Sequence, residues 1–154
     1  MTQPSGLRPI ETQALDEVLE QHRAVRTLIM QLRKVEDTAE VCAMFEQLVP
    51  FLSAHLELEE ATLFTKHTDP ALVEALAAQD RTVETLRAEH QLLRQSVLSI
   101  SAQLAGGIPL AVIRPELDAF LDLLRQHEAV ETDALSHVGT IRRTIRDETL
   151  RASN

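Results

Sequence analysis

The chain has 154 residues, 44 % of them hydrophobic and 25 % charged, the balance of one folded domain with room for a core. A net charge of −9 excludes the basic face that nucleic acid or an anionic membrane surface requires. No apolar run reaches the roughly 18 residues of a membrane span, the opening MTQPSGLRPIET has no signal-peptide pattern, and the single Cys42 excludes an internal disulfide; a cytoplasmic protein is expected.

Glycine is scarce, Trp and Tyr are absent, and Leu, Ala, Glu, Gln and Arg dominate without β-branched runs. These are helix formers, so the chain reads as all-α. Pro4, Gly6 and Pro9 mark a loose segment over 1–11. The first expected helix runs from about Thr12, a plausible N-cap, to about Lys34, with the seam Leu15, Val18, His22, Val25, Ile29, Leu32. After the polar hinge Glu36-Asp37-Thr38, the second runs to about Lys66 with Val41, Phe45, Leu48, Leu52, His55, Glu59 and then Thr62 or Leu63. Pro50 within it removes a backbone hydrogen bond and should kink or interrupt the helix near Glu46.

Thr68-Asp69-Pro70 stops the second helix and starts the third, read from about Ala71 to Ala105 with Val83, Leu86, His90, Leu93, Val97, Ile100 and Leu104. Gly106-Gly107 and Pro109 make the next break. The fourth helix begins at Pro109 or Pro115 and carries Leu117, Phe120, Leu124, His127, Glu131, Ala134, Val138 and Ile141. Its tail, GTIRRTIRDETLRASN, either extends it or forms a short separate helix. Alternating three- and four-residue steps with short connections predict an up-down-up-down antiparallel four-helix bundle over 12–146, followed by a tail over 147–154.

Each seam is apolar except for one histidine, and two of the four add a glutamate one turn later, in HLELEEATLF and HEAVETDAL. A four-residue step turns a helix by about 400°, so i and i+4 share a face about 6 Å apart. His22, His55, Glu59, His90, His127 and Glu131 should therefore converge inside the bundle. Burying carboxylates among Leu and Val costs several kcal/mol unless a partner or a shifted pKa neutralises them. A bound cation removes that cost. Two metals share the six donors readily, two histidines each with both glutamates bridging. One solvent-derived bridge then gives each ion five ligands and leaves a position open.

A lone histidine on an apolar face is ordinarily a satisfied core residue, and the competing explanation is a metal-free hydrogen-bonded layer. His67 and His137 are internal controls: both fall off the seams, lack a carboxylate at i+4, and read as surface residues. The Glu-x-x-His motif of ferritin-like proteins is absent, because Leu19, Leu52, Arg87 and Leu124 stand three before the seam histidines. HEAVE lacks the second histidine of a zincin. Cys42 lies on the far side of its helix from His55, so a Cys-His site has little support.

Histidine on the first helix, H-x-x-x-E on the second, E-H-Q-L-L-R on the third and H-x-x-x-E on the fourth together resemble the hemerythrin-like HHE cation-binding domains. The resemblance covers roughly residues 12 to 138, including the doubled Glu59-Glu60. It implies a four-helix bundle with two non-haem iron ions and a bridging oxo or hydroxo group. His22 and His55 would hold one iron, His90 and His127 the other, with Glu59 and Glu131 bridging. The oxygen-carrying hemerythrins have a further histidine on the third helix, where Leu86 and Arg94 flank His90 here at four residues. They also have Asp at i+5 on the fourth helix, where this chain has Glu131 at i+4.

The set is closer to that of iron-centre repair proteins and several bacterial hemerythrin-like proteins. Fewer nitrogen ligands favour peroxide or nitric oxide chemistry over simple O2 carriage, and with no Tyr there is no phenolate ligand. The expected function is a di-iron protein that binds or reacts with O2, NO or peroxide. The alternatives are a catalase-like enzyme, an iron-centre repair factor and a metal-free helical interaction module. Partners for the histidines are expected among Glu57, Glu60, Glu89, Glu128 and Asp133, most of these being simply solvated charges.

Overall fold

The computed structural model describes Ile10 and residues 12–153; the expected loose segment over 1–11 lies, apart from Ile10, outside the described residues. The described chain is all-α, with α1 over Thr12–Leu32, α2 over Thr38–Thr62, α3 over Pro70–Ala77, α4 over Val83–Ala105 and α5 over Leu110–Ala152. Thr12 is itself helical, and the residue before it lies outside the described residues. Asp37 caps α2 by accepting a hydrogen bond from Glu40 N at 2.9 Å. α2 continues through Pro50 without interruption and ends at Thr62, four residues short of the expected Lys66.

The expected third helix is two helices. α3 is capped by Asp69 with Pro70 at its first position. Asp80 at φ 55° turns the chain, and Thr82 caps α4 by accepting from Thr85 N at 3.1 Å. Asp tolerates the left-handed conformation that most residues avoid, so the break forms without Gly or Pro. Gly107 at φ 75° follows the end of α4. α5 then starts after Pro109, and Pro115 sits in its first turns; the tail extends α5 to Ala152.

α1 packs on α2 and α5, α4 packs on α2 and α5, and α3 packs on α5. The buried residues of α1 are the six of its expected seam. Val83 and Ile141 are only half-buried, whereas Leu56, Leu63, Leu121 and Leu135 are buried.

The core falls into two apolar clusters. One contains Val25, Ile29 and Leu32 of α1, Leu52 and Leu56 of α2, Leu93 of α4 and Leu124 of α5. The other contains Leu15 and Val18 of α1, Leu63 just after α2, Leu86 of α4 and Ala134 and Val138 of α5. In α1, α4 and α5 the histidine stands between the residues of one cluster and those of the other, and in α2 the change falls between Leu56 and Leu63, where Glu59 lies, so a polar layer divides the core. Beside the second cluster, Arg142 reaches Asp69 Oδ2 at 2.5 Å and also donates to the carbonyl of Ile10, tying α5 to the start of α3 and to the N-terminal approach.

Candidate metal centre

All six residues singled out by spacing lie in this layer. His22, Glu59, His90 and His127 are 0 % exposed, and His55 and Glu131 1 %. They form two groups: His22, His55, Glu59 and Glu131, and Glu59, His90, His127 and Glu131. Within each group, one potential ligand atom per residue lies within 4.8 Å of all the others, and both groups use the same two glutamates. His67 and His137 are exposed, as expected of the controls.

Each imidazole is held from behind at Nδ1. His90 Nδ1 meets Glu60 Oε1 at 2.9 Å, and His127 Nδ1 meets Glu89 Oε2 at 2.7 Å. Those carboxylates are themselves anchored: Arg94 donates to both oxygens of Glu60 at 2.8 and 3.1 Å, and Arg81 to Glu89. His55 Nδ1 meets Gln21 Oε1 at 2.7 Å, and His22 Nδ1 meets Thr132 Oγ1 at 2.8 Å. Carboxylate and amide oxygens accept, so Nδ1 of His55, His90 and His127 carries the proton, whereas the Thr132 hydroxyl can accept from or donate to His22 Nδ1; all four Nε2 atoms turn inward. This arrangement fixes ring orientation in metal-binding histidines.

Of the five acidic residues named as possible partners, Glu60 and Glu89 take that role, and Glu57 and Asp133 are exposed. Glu128 does something else. It is 1 % exposed and enters the layer, with Oε1 3.1 Å from His55 Nε2 and Oε2 3.3 Å from His22 Nε2. Gln21 and Thr132 had no sequence signal. Glu128 did have one, because Leu121, Leu124, Glu128 and Leu135 keep heptad spacing beside the seam of His127 and Glu131.

The inward atoms require positive charge. His90 Nε2 and His127 Nε2 are 3.0 Å apart. With both Nδ1 protons directed outward, neutral rings would face lone pair to lone pair. Glu59 Oε1 lies 2.9 Å from His22 Nε2 and 3.0 Å from His55 Nε2, and Glu131 Oε1 lies 2.9 Å from His127 Nε2. Glu59 Oε2, Glu128 Oε2 and both oxygens of Glu131 nevertheless accept no hydrogen bond among the described residues. Buried carboxylate oxygens without donors are costly. Either protons or a cation must fill the space between these groups.

The titration behaviour follows from the same charges. Burial works to lower the pKa of His22, but Glu131, Glu59 and Glu128 outweigh it and push the value up to about 9. For His55 burial is outweighed by Glu128 and Glu59, giving about 10. Burial is likewise overcome at His90 by Glu131 and Glu59, giving about 9, and at His127 by Glu131, Glu89 and Glu59, giving about 10. Burial and mutual repulsion oppose ionisation of Glu59, and burial opposes it at Glu131, yet the facing histidines hold both carboxyls below the usual carboxylate range. The donor set of imidazole nitrogen and carboxylate oxygen fits first-row divalent metals, and a pair of such ions would replace the protons these groups otherwise share.

No helix among the described residues is long and apolar enough to cross a membrane. The model of one family, described as Hemerythrin HHE cation binding domain, matches residues 13–136. Neither a curated protein nor a solved structure matches the chain.

Proposed function

The chain belongs to the hemerythrin HHE cation-binding domain family, and on that footing we propose that it is a non-haem di-iron protein that binds or reacts with O2, NO or peroxide. The observation that carries the reading is the pair of four-residue ligand groups sharing Glu59 and Glu131. His22 and His55 hold one ion in this reading, His90 and His127 the other, and the two glutamates span both. Two irons there supply reversible one-electron chemistry and an open coordination position for a small ligand.

The protein's own contribution is positional. Gln21, Thr132, Glu60 and Glu89 fix the four rings, and the two arginines hold Glu60 and Glu89 in place. The apolar clusters above and below exclude water, and ligand residues only 0–1 % exposed restrict the reactant to a small molecule. We read the four long helices as an up-down-up-down antiparallel four-helix bundle. In support, α1 and α4 begin in one apolar cluster and end in the other, while α2 and α5 run the opposite way.

The test is to load metal-free protein with iron(II) under anaerobic conditions and then add O2, NO or hydrogen peroxide separately. A visible absorption change with at least one of them, lost in His90→Ala, is expected. No spectral response to any of the three contradicts the reading. O2 release from peroxide faster than by free iron would move the assignment to a catalase-like enzyme.

A further inference from the structure

We propose that Glu128 is a third carboxylate donor, serving only the ion held by His22 and His55, so that the two metal positions are unequal. The inference rests on the di-metal reading above and adds to it a residue outside the six found by spacing.

Three observations support it. Glu128 is 1 % exposed, and its Oε2 accepts no hydrogen bond among the described residues although it is directed into the layer. Its two oxygens face one half of the site: Oε1 lies 3.1 Å from His55 Nε2 and Oε2 3.3 Å from His22 Nε2. The imidazoles of the two halves are also backed differently. Behind His90 and His127 stand the carboxylates of Glu60 and Glu89, whereas behind His22 and His55 stand the uncharged Thr132 and Gln21.

Each half therefore has negative charge beyond the shared glutamates, but in different places. On the His90 side it lies outside the ring of donors, where it raises the basicity of the imidazoles. On the His22 side it lies inside, where a hard divalent cation takes it as a ligand. Counting donors, the His22 position has two nitrogens and three carboxylates, and the His90 position two nitrogens and the two shared carboxylates. The free coordination position then falls on the His90–His127 side. The competing role for Glu128 is a counter-charge that keeps His22 and His55 protonated without touching metal.

Cobalt(II) is a suitable probe, titrated into metal-free wild type, Glu128→Gln and the exposed control Glu57→Gln. Wild type and the control should bind two equivalents. Glu128→Gln should keep one at wild-type affinity and bind the other about tenfold or more weakly. Wild-type affinity at both positions of Glu128→Gln overturns the inference and leaves the di-metal reading intact, whereas a wild type that binds no cobalt removes both. If Glu128→Gln does not fold, the wild-type spectrum decides. The fuller position should give the weak visible bands of six-coordinate cobalt and the other the stronger bands of lower coordination. Two equivalents of equal intensity contradict the proposal.

Discussion

Four imidazoles and three carboxylates share a space closed to water, and their charges must balance within it. In the metal-free chain protons provide that balance. The histidines titrate at about 9 to 10, against 6.5 ordinarily. Folding therefore takes up protons, and the stability gained is fully present below about pH 6.5 and lost as pH rises through about 9 to 10. Metal-free protein should melt at progressively lower temperature from pH 7 to pH 10; a flat profile contradicts the assigned interactions. A cation must displace the same protons, so metal affinity should rise with pH over that interval, as read by competition with a chelator. Glu59→Ala and Glu131→Ala should each lose far more bound metal than His67→Ala, since each glutamate serves both groups while His67 is exposed. Equal metal content in the three variants would contradict the shared-ligand assignment. Glu60→Gln and Glu89→Gln should weaken metal binding by about 10- to 100-fold without removing a ligand.

At the scale of the element, the sequence was most legible where one seam faces the core. All six buried positions of α1 follow from its three- and four-residue steps. α5 packs against three other helices, which buries a wider face. Its second seam, which adds Leu121, Glu128 and Leu135, was therefore not read beside the first, and Glu128 was named only as a possible partner of the histidines and not as a member of the buried layer. The break between α3 and α4 was missed because Asp80, rather than Gly, takes the positive φ. Gln21 and Thr132 could not be read at all. They meet His55 and His22 across 34 and 110 residues of chain, and only the packed register of the helices brings them together. Caps are local and make a clean test. Asp37→Ala and Thr82→Ala should each cost about 1 kcal/mol, seen as a lower denaturant midpoint at unchanged slope, and no shift in either would contradict the capping geometry.

Across the whole molecule, the polar layer separates two apolar clusters that would otherwise form one core. A cation bound only by the folded chain adds stability by mass action, so its effect should be felt by the entire fold rather than by one helix. The most direct measurement is metal analysis together with a near-ultraviolet to visible spectrum of protein purified from iron-replete cells, followed by a melting curve before and after chelation. The account predicts two irons per chain, ligand-to-metal charge-transfer absorption and a clear fall in melting temperature on chelation. Protein that carries no metal, takes up none when offered iron(II) and melts identically in chelator would contradict it.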